Sequence, residues 1–126
     1  MKIGEMRLLD TNILIYSYAE NYSHLRTLIW DGASAVSEMT RLETLGFHGI
    51  TDKEMAYFND VFIVIKTLDI DKATIDEAIR LRRTFKMKAG DSLIAATALL
   101  NNLELYTRNN ADFEKIEELK VVNPID

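Results

Sequence analysis

The sequence contains no cysteine, one proline and five glycines among its 126 residues. The lack of cysteine excludes disulfide scaffolds, thiolate zinc sites and cysteine nucleophiles, and it is typical of a reducing cytoplasm. The scarcity of proline and glycine excludes collagen-like, proline-rich and linker-rich classes. Long apolar runs are also missing, since the stretch 61–65 is too short to span a bilayer and the N-terminus lacks a signal peptide's apolar stretch. We therefore expect a small cytoplasmic protein, a single domain over residues 1–126, with no membrane partner.

The residues that are present have the balance of a globular protein. Apolar residues make up 48% of the chain and charged residues 28%, which argues against disorder. Twenty acidic residues outnumber fifteen basic ones, so the formal net charge is −5. A negative protein does not attract phosphate backbones through its overall field, so a nucleic-acid role requires a local basic patch or bound cations. The same charge would suit a basic protein partner.

Two hydrophobic periods alternate along the chain, which predicts alternating strands and helices. Strands are expected at 6–9, 33–36, 65–70, 103–107 and 120–123. Helices are expected after a cap at Thr11 or Asn12, and at 24–30, 39–46, 52–63, 71–85, 90–102 and 112–118. In the helix at 71–85, the predicted buried face carries Ile75, Ala78, Ile79 and Phe85. This alternation favours an α/β fold, in which helices cover both faces of a parallel sheet.

Four acidic residues fall where such a fold gathers its functional groups. Asp10 ends the first strand, Glu43 follows the second strand, Asp91 opens a helix, and Asp112 follows the strand at 103–107. If the strand ends share one edge, the four carboxylates converge there. Two carboxylates about 5 Å apart repel by roughly 3 kcal/mol at an effective dielectric constant near 20, so a cluster recruits cations or raises its pKa values. All-oxygen ligands suit Mg²⁺ or Mn²⁺, whose chemistry includes phosphodiester hydrolysis.

Each of three acids also has a local explanation. Thr40 and Glu43 have the spacing of a capping box, in which Glu43 only bonds to the backbone of its own helix. Asp91 could be a helix N-cap or a first-turn acid, and Asp112 could serve its own helix in the same way. Asp10 lacks such an explanation, because an acid at the end of an apolar strand has little structural purpose there.

Taken together, four motifs of the chain resemble those of the PIN domain family, and in particular of short VapC-type ribonuclease toxins. The first motif is 8–16 and contains Asp10-Thr11-Asn12, and the second is the set Ser37, Thr40, Glu43 and Gly46. The third and fourth motifs are 90–98 and 107–113, so the four cover nearly the whole chain. The resemblance implies a three-layer α/β/α sandwich with a mostly parallel, five-stranded sheet. It also implies that residues 1–126 form one PIN domain.

The resemblance further assigns chemistry to named positions. It implies that the metal ligands and catalytic residues are Asp10, Glu43, Asp91 and Asp112, and that Asn12 and Thr107 hold these carboxylates in place. The cofactor would be Mg²⁺ or Mn²⁺, and the activity would be endonucleolytic cleavage of RNA. The implied partners are a second copy of the chain and a small antitoxin whose C-terminal segment covers the acids.

Basic and aromatic residues suggest how RNA would be held. Five basic residues precede Asp91 in a stretch without acids: Arg80, Arg82, Arg83, Lys86 and Lys88. A sixth, Arg108, lies in the fourth motif. They could bind phosphates, although a solvated helix face explains the run equally well. Tyr16, Tyr18 and Tyr22 could stack bases, but packing between helices is the favoured interpretation.

Two rival functions remain open at this point. A PIN-like module could bind RNA or protein without cutting, although the complete set of acids argues against this. A phosphoacceptor receiver domain is also a small acidic α/β protein. It needs adjacent acids near the first strand and a late lysine, where this chain has Asp10 before Thr11 and, later, Thr107 before Arg108.

Overall fold

The structure is a computed structural model, and it describes residues 6–125. Its strands are Arg7–Leu9 (β1), Ser34–Ser37 (β2), Lys66–Leu68 (β3), Glu104–Tyr106 (β4) and Val121–Val122 (β5). Its helices are Thr11–Tyr18 (α1), Arg26–Trp30 (α2), Glu38–Leu45 (α3), Asp52–Val64 (α4), Lys72–Thr84 (α5), Ala89–Leu100 (α6) and Asn110–Phe113 (α7). A 3₁₀ segment, Glu20–Leu25, precedes α2, so the helix expected at 24–30 is only partly α-helical. In this part of the chain, none of the helices is long and apolar enough to cross a bilayer.

The strands form one parallel sheet in the order β3-β2-β1-β4-β5, which confirms the predicted fold class. Alternation along β1 sends Leu8 and Leu9 to opposite faces of the sheet. Leu8 packs in a cluster with Leu81 of α5 and Ile94 of α6. Leu9 packs in a second cluster with residues of α1, α2 and α4. The sheet is therefore the middle of three layers.

Side-chain caps define where several helices begin. The Asp10 carboxylate accepts a hydrogen bond from the backbone N–H of Thr11 at 2.8 Å, so Asp10 caps α1. The expected cap at Thr11 or Asn12 is therefore wrong, and so is the expectation that Asp10 has no local structural role. Thr51 and Glu54 form a reciprocal capping box at the start of α4. Before β2, Gly32 adopts a φ of 79°, which glycine allows because it has no Cβ to strain.

Two predictions about helices were wrong in detail. The buried face of α5 carries Thr74, Ala78 and Leu81, whereas Ile75 and Ile79 are 42% and 49% exposed. That face packs along α6, so Ile75 and Ile79 point away from it. The last helix, α7, ends at Phe113 rather than continuing to residue 118, because the chain then turns so that Ile116 and Leu119 can be buried.

Candidate active site

The site is built at the carboxyl edge of the sheet, where β1 and β4 end side by side. Their register pairs Leu9 with Tyr106, so one step further Asp10 lies opposite Thr107. The backbone N–H of Asp10 donates to the Tyr106 carbonyl at 2.9 Å, which continues the ladder. The Thr107 hydroxyl then donates to Asp10 Oδ2 at 2.7 Å. Strand register alone therefore brings a carboxylate and a hydroxyl together across 97 positions of sequence.

Asp10 is a buried carboxylate without a basic partner. Its side chain accepts from the Thr11 N–H and the Thr107 hydroxyl, and it forms no ion pair with a basic residue of the described chain. Burial raises its pKa from the ordinary 3.8 to about 6, against the lowering effect of both hydrogen bonds. Asp91 and Glu43 add to this rise because their negative charges are close by. The ionised form is therefore held at a cost that a cation would remove.

Glu43 reaches the same edge from α3. The helix is capped by Ser37, whose hydroxyl accepts from the Met39 N–H, so the expected capping box with Thr40 is wrong. The Glu43 carboxylate instead accepts a hydrogen bond of 2.6 Å from the Thr11 hydroxyl. Thr11 also lies 3.0 Å from the Thr40 hydroxyl. This network joins α3 to the start of α1 and fixes one oxygen of Glu43 beside Asp10.

Gly90 lies against the other carboxylate oxygen of Glu43. A Cβ built on Gly90 would meet Glu43 Oε2 at 3.2 Å and Met39 Cε at 3.3 Å. Both contacts are tighter than ordinary van der Waals packing, so any side chain here would displace the Glu43 carboxylate. The glycine therefore allows α6 to approach α3 at the site.

We expect Gly90→Ala to lower catalytic activity without unfolding the protein. The added methyl group would push Glu43 by a few tenths of an ångström. The sequence motifs imply a catalytic role for Glu43, and misplacement of a catalytic group costs roughly tenfold or more in kcat. Gly90 lies in a helix, so alanine would hold or raise the free energy of unfolding, by up to about 1 kcal/mol. Steady-state kinetics and urea denaturation measure both effects. A variant with unchanged kcat would show that the Glu43 position is not critical.

Asp91 and Asp112 form the second half of the site. Asp91 lies in the first turn of α6, whose N-cap is Lys88, so Asp91 is a first-turn acid and not the cap. Asp91 and Asp112 line one open cavity of about 480 Å³ together with Lys88 and Lys115. Burial raises the pKa of Asp91, as do the charges of Asp112 and Glu43, whereas Lys88 and Lys115 lower it. Glu43 and Asp91 thus raise the pKa of Asp10, and Glu43 and Asp112 raise the pKa of Asp91, so the four acids lie near one another.

Thr107 and Asn12 hold the Asp10 end of the site. The Thr107 hydroxyl, besides donating to Asp10, accepts from the Asn109 N–H at 3.0 Å. Asn12 Nδ2 lies 3.5 Å from the same hydroxyl, and its Oδ1 accepts from the Arg108 N–H at 3.4 Å. Asn12 therefore supports the turn after β4, and it reaches the carboxylate only through Thr107.

The sequence motifs imply that Asp10 is a metal ligand, so we expect Thr107→Val to reduce kcat by roughly 10- to 100-fold, the usual cost of losing a residue that orients such a ligand. Loss of the hydroxyl removes a hydrogen bond that stabilises ionised Asp10, so the pKa of Asp10 rises further. The acidic limb of the pH–rate profile should then move to higher pH. Thr107→Ser is the matched control because it keeps the hydroxyl, and it should behave nearly as the unsubstituted chain does. If the acidic limb does not move in the valine variant, Thr107 does not control the ionisation of Asp10.

The donor set fits a hard divalent cation. Carboxylate oxygens are the ligands that Mg²⁺ and Mn²⁺ prefer, and the buried carboxylate of Asp10 lacks a compensating charge. Within residues 6–125, no group of three acidic or histidine side chains lies close enough to hold an ion in its present rotamers. Hydrogen bonds fix Asp10 and one oxygen of Glu43, whereas Asp91 is half-buried and Asp112 is exposed. Since Mg²⁺ is usually held by one or two carboxylates together with water, only a site with three protein ligands would need Asp91 or Asp112 to turn toward Asp10 and Glu43.

The basic residues singled out in the sequence separate into distinct groups. Arg82, Lys86 and Lys88 line the cavity beside Asp91, and Arg83 lies in an adjoining cavity with Arg82. Arg80 instead forms ion pairs with Glu77 and Glu118, as a solvated helix face would. Arg108 lies beside the Asp10 end, against Tyr16.

Two residues that touch this site, Lys115 and Thr11, were not predicted to belong to it. Lys115 lines the cavity with Asp91 and Asp112, but the chain has already left α7 there, so no helical spacing indicates it. Thr11 belongs to a quoted motif, yet its bond to Glu43 joins positions 32 apart and leaves no local pattern.

The fold and this edge define a parallel α/β domain with an acid-rich site at the carboxyl ends of its strands. The family model of the PIN domain matches residues 7–119, and the chain belongs to the PIN domain family. The match confirms the resemblance seen in the four sequence motifs.

Individual relatives agree with this assignment. The chain is 28% identical over 117 residues to Ribonuclease VapC1 of Methanocaldococcus jannaschii, covering 88% of this chain and 81% of the relative. A toxin–antitoxin complex from Klebsiella pneumoniae contains a chain that is 30% identical, with a TM-score of 0.78 and coverage of 95% and 98% of the two chains. DNA-bound VapBC from Salmonella typhimurium superposes with a TM-score of 0.78 at 20% identity, covering 93% and 96% of the chains, which shows a common fold.

Proposed function

We propose that this chain is an endoribonuclease dependent on Mg²⁺ or Mn²⁺, and that it is the toxin of a toxin–antitoxin pair. The observation that carries the proposal is the convergence of Asp10, Glu43 and Asp91 at the sheet edge, where the charges of Glu43 and Asp91 raise the pKa of Asp10 and the charge of Glu43 raises the pKa of Asp91. Asp112 extends the series next to Asp91. Similarity to a named ribonuclease supports the choice of RNA as substrate, and similarity to a chain of a toxin–antitoxin complex supports a role in such a pair.

The chain's own residues divide the work of catalysis among them. Asp10 and Asp91 would be the main ligands, with Glu43 and Asp112 completing the set. A bound Mg²⁺ or Mn²⁺ would supply water activation and charge neutralisation for in-line attack on an RNA phosphate. Thr107 keeps Asp10 ionised and oriented, and Thr11 orients Glu43.

Cations beside the acids would hold the RNA backbone. Arg82, Lys86, Lys88 and Lys115 border the cavity that contains Asp91 and Asp112. We call these four residues the basic wall. It gives a local positive surface on a chain of net charge −5, which is the condition that RNA binding requires. Arg80 is less suited to this role because its charge is already paired.

The direct test is RNA cleavage by the purified chain with Mg²⁺ or Mn²⁺, and with EDTA as the metal-free control. Asp91→Asn should abolish cleavage, because a neutral amide binds divalent cations far more weakly than a carboxylate. Asp60→Asn is the matched control, since Asp60 is an exposed acid of α4 on the other side of the sheet. Cleavage that persists in EDTA or in the Asp91 variant would contradict the proposal.

A second candidate function is RNA or protein binding without cleavage. The observation favouring it is that the described acids are not yet arranged as a group of three around one point. Titration calorimetry with Mn²⁺ distinguishes the two functions, because a binding module need not take up metal at this edge. Saturable Mn²⁺ binding that Asp91→Asn removes favours the nuclease.

The proposed partners follow from surface charge and apolar exposure. A small antitoxin could cover the acids with a basic segment, and co-purification of a protein encoded next to this chain would test that pairing.

We also propose a cytoplasmic homodimer. Leu42 of α3 is 65% exposed and borders a groove of about 520 Å³ with Met39, Leu45 and Ile70. Ile75 and Ile79 add exposed apolar surface on α5. Light scattering after gel filtration measures the oligomeric state.

A further inference from the structure

One cation at the acid-rich edge is held in place without being neutralised. Arg108 directly follows Thr107, and its guanidinium carbon lies 4.8 Å from the centroid of the Tyr16 ring. A hydrogen-bonding interaction with Tyr22, together with the nearby Tyr16, raises the pKa of Arg108. Within the part of the chain that the structure describes, Arg108 has no ion pair with a carboxylate. Its positive charge is therefore available to an external anion.

The tyrosines are themselves fixed, so the position of the guanidinium is defined before any ligand arrives. The Tyr16 and Tyr22 rings pack edge to face with centroids 5.0 Å apart. Both rings are half-buried and pack against the core cluster beneath α1. At the other end of the residue, the Arg108 N–H donates to Asn12. An arginine ordered in advance loses less conformational entropy when it binds a phosphate.

Four other arginines of the described chain form ion pairs with carboxylates, whereas Arg82 and Arg83, like Arg108, form none. The residues in ion pairs with carboxylates are Arg7, Arg26, Arg41 and Arg80. Arg80 in particular contacts two acids, Glu77 and Glu118. Arg108 differs from Arg82 and Arg83 because its guanidinium lies against the Tyr16 ring, and without a carboxylate partner its charge still attracts anions.

Its location relative to the acids specifies which anion. Arg108 is one residue from Thr107, which contacts Asp10, and its side chain lies on the α1 side of the sheet. The basic wall lies on the opposite side, where α5 and α6 pack. An RNA backbone crossing Asp10 and Asp91 would therefore meet cations on both sides of the acids.

We propose that Arg108 binds an RNA phosphate on the α1 side of the acids, with Tyr16 and Tyr22 fixing its guanidinium. This proposal rests on the proposed ribonuclease function. It assigns Arg108 a separate subsite from the basic wall, and it makes Tyr22 a positioning residue. Because Arg108 contacts a phosphate and not a base edge, it should strengthen binding without reading sequence.

The test measures binding of a labelled single-stranded RNA oligonucleotide as a function of salt, in an Asp91→Asn background that prevents cleavage. Arg108→Gln should weaken binding roughly tenfold and reduce the slope of log K against log salt by about 0.7, the value for one lost phosphate contact. Arg80→Gln, the matched control, should leave both unchanged because Arg80 is already paired. Tyr22→Phe should weaken binding two- to threefold, on the order of one weak hydrogen bond, with the slope unchanged because the charge remains.

Each outcome decides the assignment. An unchanged slope in Arg108→Gln, or equal losses in Arg108→Gln and Arg80→Gln, would overturn it. If Arg108→Gln folds poorly, Arg108→Lys and Tyr22→Phe still test it: both should keep the salt slope yet bind more weakly. RNA cleavage by the chain with native Asp91 is measured in parallel. If the chain with native Asp91 neither cleaves nor binds RNA, the proposed ribonuclease function is wrong. If it cleaves RNA but Arg108→Gln leaves the salt slope unchanged, only the Arg108 subsite is wrong.

Discussion

Replacing Asp10 by Asn should abolish RNA cleavage and at the same time stabilise the metal-free protein at pH 7. Under the proposed function Asp10 is a main metal ligand, and its loss is expected to lower kcat by roughly 10³-fold, which corresponds to about 4 kcal/mol of transition-state stabilisation. The folded chain raises the pKa of Asp10 from 3.8 to about 6, so keeping this residue ionised costs about 3 kcal/mol at neutral pH. The amide removes that cost, and its oxygen can still accept from the Thr11 N–H.

The sign of this effect is testable by its pH dependence. Between pH 3.8 and about 6 the folded chain binds more protons at Asp10 than the unfolded chain does, so its contribution to stability falls as pH rises. The stability difference between Asp10→Asn and the unsubstituted chain should therefore be small near pH 4 and reach its full value near pH 7. Urea denaturation in EDTA measures it. Asp60→Asn should shift stability by no more than about 0.5 kcal/mol.

Either of two results would contradict this account of Asp10. A variant that is less stable than the unsubstituted chain at pH 7 would mean that the charge is favourable where it lies. A variant that still cleaves RNA at a normal rate would mean that Asp10 has no part in catalysis.

Adding Mn²⁺ should stabilise the unsubstituted chain strongly at pH 7. A ligand that binds only the folded state at 100 times its Kd adds about 2.7 kcal/mol, or roughly 10 °C in Tm for a domain of this size. The gain should shrink near pH 5, because protons compete for Asp10 and Asp91, whose pKa values are both raised. EDTA should reverse it.

Variants separate this site from adventitious metal binding. Asp10→Asn and Asp91→Asn should lose most of the Mn²⁺-dependent gain in Tm, and Asp60→Asn should keep it. An equal gain in all of these proteins would place the ion elsewhere on the chain.

Much of the fold could be predicted because short apolar strands and periodic helices leave clear patterns. β1 and α6 illustrate this: one is an apolar run that ends in Asp10, and the other is apolar on nearly every side. The buried face of α5 could not be predicted, because its sequence offers two apolar faces. Contact with α6 buries the face that carries Thr74, Ala78 and Leu81, and Ile75 and Ile79 are left exposed.

The candidate site shows the same division. The positions of Asp10 and Asp91 relative to their strand and helix could be predicted from local patterns. The hydrogen bonds that hold the acids could not, because they join distant segments: Thr107 to Asp10, and Thr11 to Glu43. Strand register and helix packing create these bonds, and one sequence records neither. The unpaired state of Arg108 was likewise invisible, since it depends on which acids the fold places nearby.

The measurement that tests the site most directly is anomalous diffraction from crystals of this chain grown with Mn²⁺. We expect an anomalous peak for an Mn²⁺ ion that is coordinated by carboxylate oxygens of Asp10 and Asp91, with Glu43 or Asp112 turned toward it. Ordered Mn²⁺ bound only at other carboxylates, with these four side chains left in their metal-free positions, would contradict it.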